Sequence, residues 1–114
     1  MSKRIERVNS LIQKELGEII LKDVELPQDS LTTITGVRTS IDLANANVYI
    51  SVIPQERAKR TVEILNKIIY GLQKTLNEKL RMRPIPKIRF VEEKQNIEAA
   101  KIEGLLEELK KEEK

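Results

Sequence analysis

Cysteine, histidine and tryptophan are absent from this 114-residue chain, and phenylalanine occurs once. Without cysteine there is no disulfide framework and no thiolate nucleophile. Without histidine there is no imidazole base, no His-ligated zinc and no Ser-His or Cys-His pair. The lack of a proton shuttle near neutral pH argues against an enzyme. One phenylalanine and two tyrosines oblige the core to be aliphatic, and they leave few platforms for stacking on splayed bases. No apolar run approaches the ~20 residues of a membrane span. Charge begins at Lys3 and Arg4, so neither a secretory signal nor a membrane partner is expected, and the expected compartment is the cytoplasm. Glu92-Glu93 and Glu107-Glu108 adjoin in sequence, but neighbours on a helix do not face each other. No third ligand stands near either pair, so no metal, cofactor or catalytic residue is expected.

What the chain does have is concentrated positive charge. Between positions 57 and 91, ten Lys and Arg stand against Glu63 and Glu78, which makes that segment +8 in a chain of +3. A basic segment in a nearly neutral protein points to a polyanionic partner. The charges are also ordered. Val62, Leu65, Ile69, Leu72, Leu76 and Leu80 recur at helical spacing. Arg60, Lys67, Lys74 and Arg81 recur every seven residues. At ~100° per residue they lie roughly 165° around the helix from the apolar stripe. A charged outer face is ordinary for a surface helix, but such faces usually mix both signs. Arg57 and Lys59 stand near the helix start, where cations oppose the dipole, a small cost that favours a binding use.

The rest of the chain supplies a scaffold. Ile5, Val8, Ile12, Leu16 and Ile19, widened by Leu11 and Ile20, predict an amphipathic helix over 2–21, capped by Ser2. Gly17 interrupts it, as a close approach by another element would require. Thr, Ile and Val predict a strand over 31–39, with Gly36 marking a bulge. Ser40-Ile41-Asp42-Leu43 turns the chain. Ala44, Ala46, Val48, Ile50 and Val52 then alternate with Asn45, Asn47, Tyr49 and Ser51, as in a half-buried strand paired antiparallel to the first. A long helix follows over 56–80, with Gly71 permitting a kink. Arg83-Pro84-Ile85-Pro86 ends it. A third strand over 87–91 points Ile88 and Phe90 inward and Lys87 and Arg89 outward. From Glu92 the composition changes, and Ile97, Ile102, Leu105, Leu106 and Leu109 predict a last amphipathic helix with a frayed end. The expected fold is α+β: a two-layer α-β-β-α-kink-α-β domain with a three-stranded sheet, helices on one face and a C-terminal helical extension. The expected boundaries are 1–92 for the domain and 93–114 for the extension.

Three pieces in this order resemble the ribosome-binding factor A family, a type II KH-like fold. They are Arg7-Val8 with Leu11-Ile12 and Glu15-Leu16, the hairpin from Val37-Arg38-Thr39 to Ser51-Val52, and Leu80-Arg81-Met82-Arg83-Pro84-Ile85-Pro86-Lys87-Ile88-Arg89-Phe90. The chain lacks the Gly-x-x-Gly loop of ordinary KH domains. Where the family has an Ala-x-Gly kink, it has Ile69-Tyr70-Gly71. Gly71 matches; Ile69 departs from the small residue and lies on the apolar stripe, where a core position is expected.

The resemblance implies a monomeric, non-enzymatic assembly factor. Its partners would be the free 30S small ribosomal subunit and 16S rRNA. It would assist late maturation and 16S rRNA processing near the 5′-terminal helix. The residue pattern agrees. Few aromatics favour contact through phosphates and helix shape over reading of splayed bases. Arg60, Lys67, Lys74, Lys79, Arg81, Arg83, Lys87 and Arg89 are the candidate RNA contacts, with Lys3, Arg4 and Arg7 as further candidates. Lys74, Lys79, Arg81, Arg83, Lys87 and Arg89 are expected to cluster on the second half of the long helix, the proline link and the third strand, with Arg60 and Lys67 extending the stripe. The open sheet face, where Tyr49 is expected to point outward, is a second candidate surface. The alternative reading is a protein-interaction module whose basic helix meets an acidic protein.

Overall fold

Ile5, Val8, Ile12, Leu16 and Ile19 all turn to one side of helix α1 (Lys3–Asp23) and are buried there together with Ile20, while Leu11 is exposed. The computed structural model describes residues 3–93; the predicted cap at Ser2 and the predicted C-terminal helix lie outside the described residues. After α1 come β1 (Leu31–Thr39), β2 (Asn45–Ile53), a 3-10 turn (Gln55–Arg57), α2 (Ala58–Lys67), α3 (Ile69–Lys79) and β3 (Lys87–Glu92). The sheet order is β1-β2-β3. β1 and β2 form the expected antiparallel hairpin, with a register shift between Ile34 and Gly36 where the glycine predicted a bulge. β3 lies parallel to β2, an arrangement that the intervening helices make possible.

All helices cover one sheet face. Val48, Ile50, Val52, Ile88 and Phe90 point into the core against Leu65, Leu72 and Leu76. Val62 and Ile69 are half-buried against the same core. No atom lies within 4 Å of a Cβ added at Gly17, so the close approach expected there is not made. The hairpin turn is tied by Asp42, whose carboxylate accepts from the Ser40 hydroxyl at 2.6 Å and the Ala44 N–H at 3.0 Å. Those two bonds hold its carboxyl below the ordinary value, the Ser40 hydroxyl contributing most. Leu43 takes a left-handed φ of 62°. Burial of its side chain offsets that strain.

The predicted single helix is two. The break falls at Ile68 (φ −103°, ψ 14°) rather than at Gly71, and Ile69, Tyr70 and Gly71 form the first turn of α3. Ile68 N–H reaches back to the Leu65 carbonyl at 3.3 Å, a tighter 3-10 closure that ends α2. The halves pack on different elements: α2 on β2 and β3, α3 mainly on α1. One straight rod could not follow both.

Two amide side chains tie the helices to the outer edge of β3. The Phe90 N–H donates to Asn66 Oδ1 at 3.0 Å, and Asn66 Nδ2 donates to the Phe90 carbonyl at 2.9 Å. The Ile88 N–H donates to Gln73 Oε1 at 2.8 Å, and Gln73 Nε2 donates to the Pro86 carbonyl at 3.2 Å. An edge strand otherwise presents unpaired N–H and C=O groups to any passing strand. Asn66 on α2 and Gln73 on α3 both turn their amides to this one edge. Asn66→Ala would strand both Phe90 groups. It is expected to cost about 1–3 kcal/mol, read as a lower urea midpoint at unchanged slope.

Candidate nucleic-acid interface

The heptad-spaced cations stand on the outer face of α2, α3 and the following link. Arg60, Lys67, Lys74 and Arg81 are all exposed. Arg57 is ion-paired with Asp29 at 2.7 Å. None of the four is within ion-pair distance of a carboxylate among the described residues, although Glu63 stands between Arg60 and Lys67, which line one hollow with it, and Glu78 between Lys74 and Arg81. Arg57, expected to favour a binding use from its cost to the helix dipole, has the Asp29 carboxylate beside it. Tyr70, 84% exposed, stands between Lys67 and Lys74 and adds an aromatic surface to the stripe.

The other four candidates are placed differently. Lys79 is exposed in the last turn of α3, on the azimuth of Leu72 rather than that of Lys74. The Arg83 guanidinium folds back to donate to the Met82 carbonyl at 2.8 Å and the Leu80 carbonyl at 3.4 Å. Lys87 and Arg89 alternate with buried Ile88 and Phe90. They project from the open sheet face, away from the helical layer. The eight candidates, and the six expected to cluster among them, thus divide between opposite sides of the molecule, because a two-layer fold puts outward helix residues and outward strand residues back to back.

Sequence reasoning assigned no role to Arg38, Asn45 or Asn47 in contacting a ligand. All three are exposed on the open face beside Lys87 and Arg89. The alternation of β2 announces that Asn45 and Asn47 point outward; only the register shows which cations flank them. A hollow of about 530 Å³ lies elsewhere, between α1 and β1, and is lined by groups such as Gly17, Ile20, Leu21, Val24 and Thr32. It contains no cation and no pair of carboxylates, so it suits neither a polyanion nor acid–base work. No helix among the described residues is long and apolar enough to cross a membrane.

A two-layer α-β-β-α-α-β domain with an exposed row of cations has the architecture of a type II KH-like nucleic-acid-binding module. Residues 4–106 match the family described as Ribosome-binding factor A. A ribosome-binding factor A from Chlorobium limicola is 41% identical over 115 residues, covering 97% of this chain and 95% of its own. The solution structure of a Thermotoga maritima relative superposes with a TM-score of 0.68 at 37% identity, over 85% of this chain and 93% of that one. Ribosome binding factor A of Thermus thermophilus, fitted as a homology model into the cryo-EM map of a 30S complex, superposes with a TM-score of 0.58 at 25% identity, over 73% and 88%. The chain belongs to the ribosome-binding factor A family.

Proposed function

We propose that this protein is a cytoplasmic, non-enzymatic assembly factor that binds the free 30S subunit and assists its late maturation and 16S rRNA processing, near the 5′-terminal helix of 16S rRNA. Residues 1–92 would form the RNA-binding unit and 93–114 an extension to it. The observation that carries the reading is the row Arg60, Lys67, Lys74 and Arg81, exposed and without a carboxylate partner among the described residues, on a member of this family. A row of exposed cations meets phosphates whatever the base sequence. Tighter binding to one rRNA conformation than to another shifts the rRNA toward that conformation without any bond being made or broken.

Co-sedimentation with purified 30S subunits at increasing salt tests it. Four phosphate contacts predict that log K falls against log salt with a slope of about −3 to −4. rRNA fragments should compete and an acidic peptide should not. Displacement by the peptide and not by rRNA would favour an acidic protein partner, and salt-insensitive binding would count against the cationic row as the contact surface. The purified protein with precursor rRNA and magnesium is expected to give no cleavage products.

A further inference from the structure

Strand register assembles a second surface on the side of the molecule away from the helices. Arg38 pairs with Asn47, and Asn47 with Arg89, so these three form one row across the sheet. Asn45 pairs with Lys87 in the next row. Tyr49 lies on the same outward side of β2, between Gly36 on β1 and Val91 on β3. No atom lies within 4 Å of a Cβ added at Gly36, so the space beside Tyr49 is open.

Two shallow hollows flank the central strand. One, about 320 Å³, is lined by Arg38, Asn45, Asn47 and Tyr49 among others. The other, about 340 Å³, is lined by Asn45, Asn47, Lys87 and Arg89 among others. The first is bordered by Arg38 and the second by Lys87 and Arg89, and the amides of Asn45 and Asn47 stand between them. The carboxylates nearby are already engaged: Asp42 is bonded within its turn, and Glu93, at the other end of the sheet, accepts from the Thr35 hydroxyl at 3.1 Å.

We infer that this open face binds single-stranded RNA. Its parts fit that ligand one by one. Tyr49 offers an aromatic surface on which an unstacked base can lie. Each asparagine amide carries both a donor and an acceptor, as reading of a base edge requires. Arg38, Lys87 and Arg89 sit on both flanks, where the backbone phosphates of a strand crossing the sheet would pass. A duplex keeps its bases stacked and has nothing to lay on Tyr49, whereas the helical stripe needs only phosphates. The inference builds on the rRNA-binding reading but uses a different surface. The protein would then hold a helical region of RNA on one side and an unpaired segment on the other.

The test measures anisotropy of a labelled single-stranded RNA of about ten nucleotides, within the span of such sites, and of its blunt duplex, with the full chain. Tyr49→Ala is expected to weaken single-strand binding roughly ten- to a hundredfold, the effect of removing a stacked aromatic, with duplex binding changed less than about twofold. Tyr49→Phe should retain binding. The double variant Asn47→Ala, Arg89→Ala, both positions being exposed, should lose single-strand affinity with an unchanged melting temperature. In Tyr70→Phe the remaining tyrosine is Tyr49, and its emission should be quenched by the single strand and not by the duplex. Wild-type single-strand affinity in both Tyr49→Ala and the Asn47, Arg89 variant would overturn the inference, as would unquenched Tyr49 emission. The two readings separate cleanly. If Lys74→Glu, Arg81→Glu abolishes 30S binding and the sheet variants bind single strands normally, the proposed function stands and this inference fails. If that helix variant binds 30S normally and the sheet variants lose single strands, the helical surface fails and this one stands.

Discussion

Lys74→Glu combined with Arg81→Glu should fold as the wild type does and bind the small subunit about thirty- to a thousandfold more weakly. Both side chains are exposed and without an ion-pair partner among the described residues, so their replacement breaks no ion pair there. The stability change should stay within about 0.5 kcal/mol, as for other surface substitutions. Binding is another matter. Each reversal deletes one favourable phosphate contact and adds one repulsion, and two of them together are worth on the order of 2–4 kcal/mol at low salt. The salt slope should become shallower by about 2, because two fewer counterions are released. Sedimentation of the double variant with 30S subunits, alongside a thermal melt, checks both halves. A variant that melts normally and sediments normally would show that the stripe is the wrong surface.

Phe90→Ala carries the largest expected cost in stability, about 3–5 kcal/mol. Phe90 is the chain's one phenylalanine, is 1% exposed, and lies on the strand that α2 and β2 enclose. Its removal leaves a void that an aliphatic core of branched side chains cannot close without leaving its rotamers. A domain of this size holds only about 5–15 kcal/mol in total, so the loss takes a large share of it. Urea unfolding should show a much lower midpoint. Phe90→Leu, which keeps most of the volume, should lose far less. The backbone bonds from Asn66 remain in both variants, so the difference between them measures packing rather than edge pairing.

These expectations draw on different levels of the molecule. The alternation around Val48 and Ile50 made β2 legible, because a period of two survives in any half-buried strand. The stripe from Leu65 to Leu80 and the opposed cations were legible for the corresponding reason at helical period. The break at Ile68 was not. Gly71 looked like the weaker point by local propensity, but the chain breaks where its two halves must meet different neighbours, and those neighbours are far away in sequence. Asn66 and Gln73 gave no signal either. An amide between an apolar and a basic stripe looks like any surface residue until a strand edge is seen beside it.

The candidate site divides along the same line. Composition and spacing alone determined that this chain has no groups suited to imidazole or thiol chemistry, that its positive charge is concentrated in one segment, and that Arg60, Lys67 and Lys74 stand on helices opposite their buried sides. All of these depend on residue identity and on the fixed geometry of a single element. The tertiary structure alone separated Lys87 and Arg89 from that helical face and set them beside Arg38, Asn45, Asn47 and Tyr49. That grouping joins three strands, and which residues meet across a sheet depends on pairing partner and register, quantities that no single segment of sequence contains.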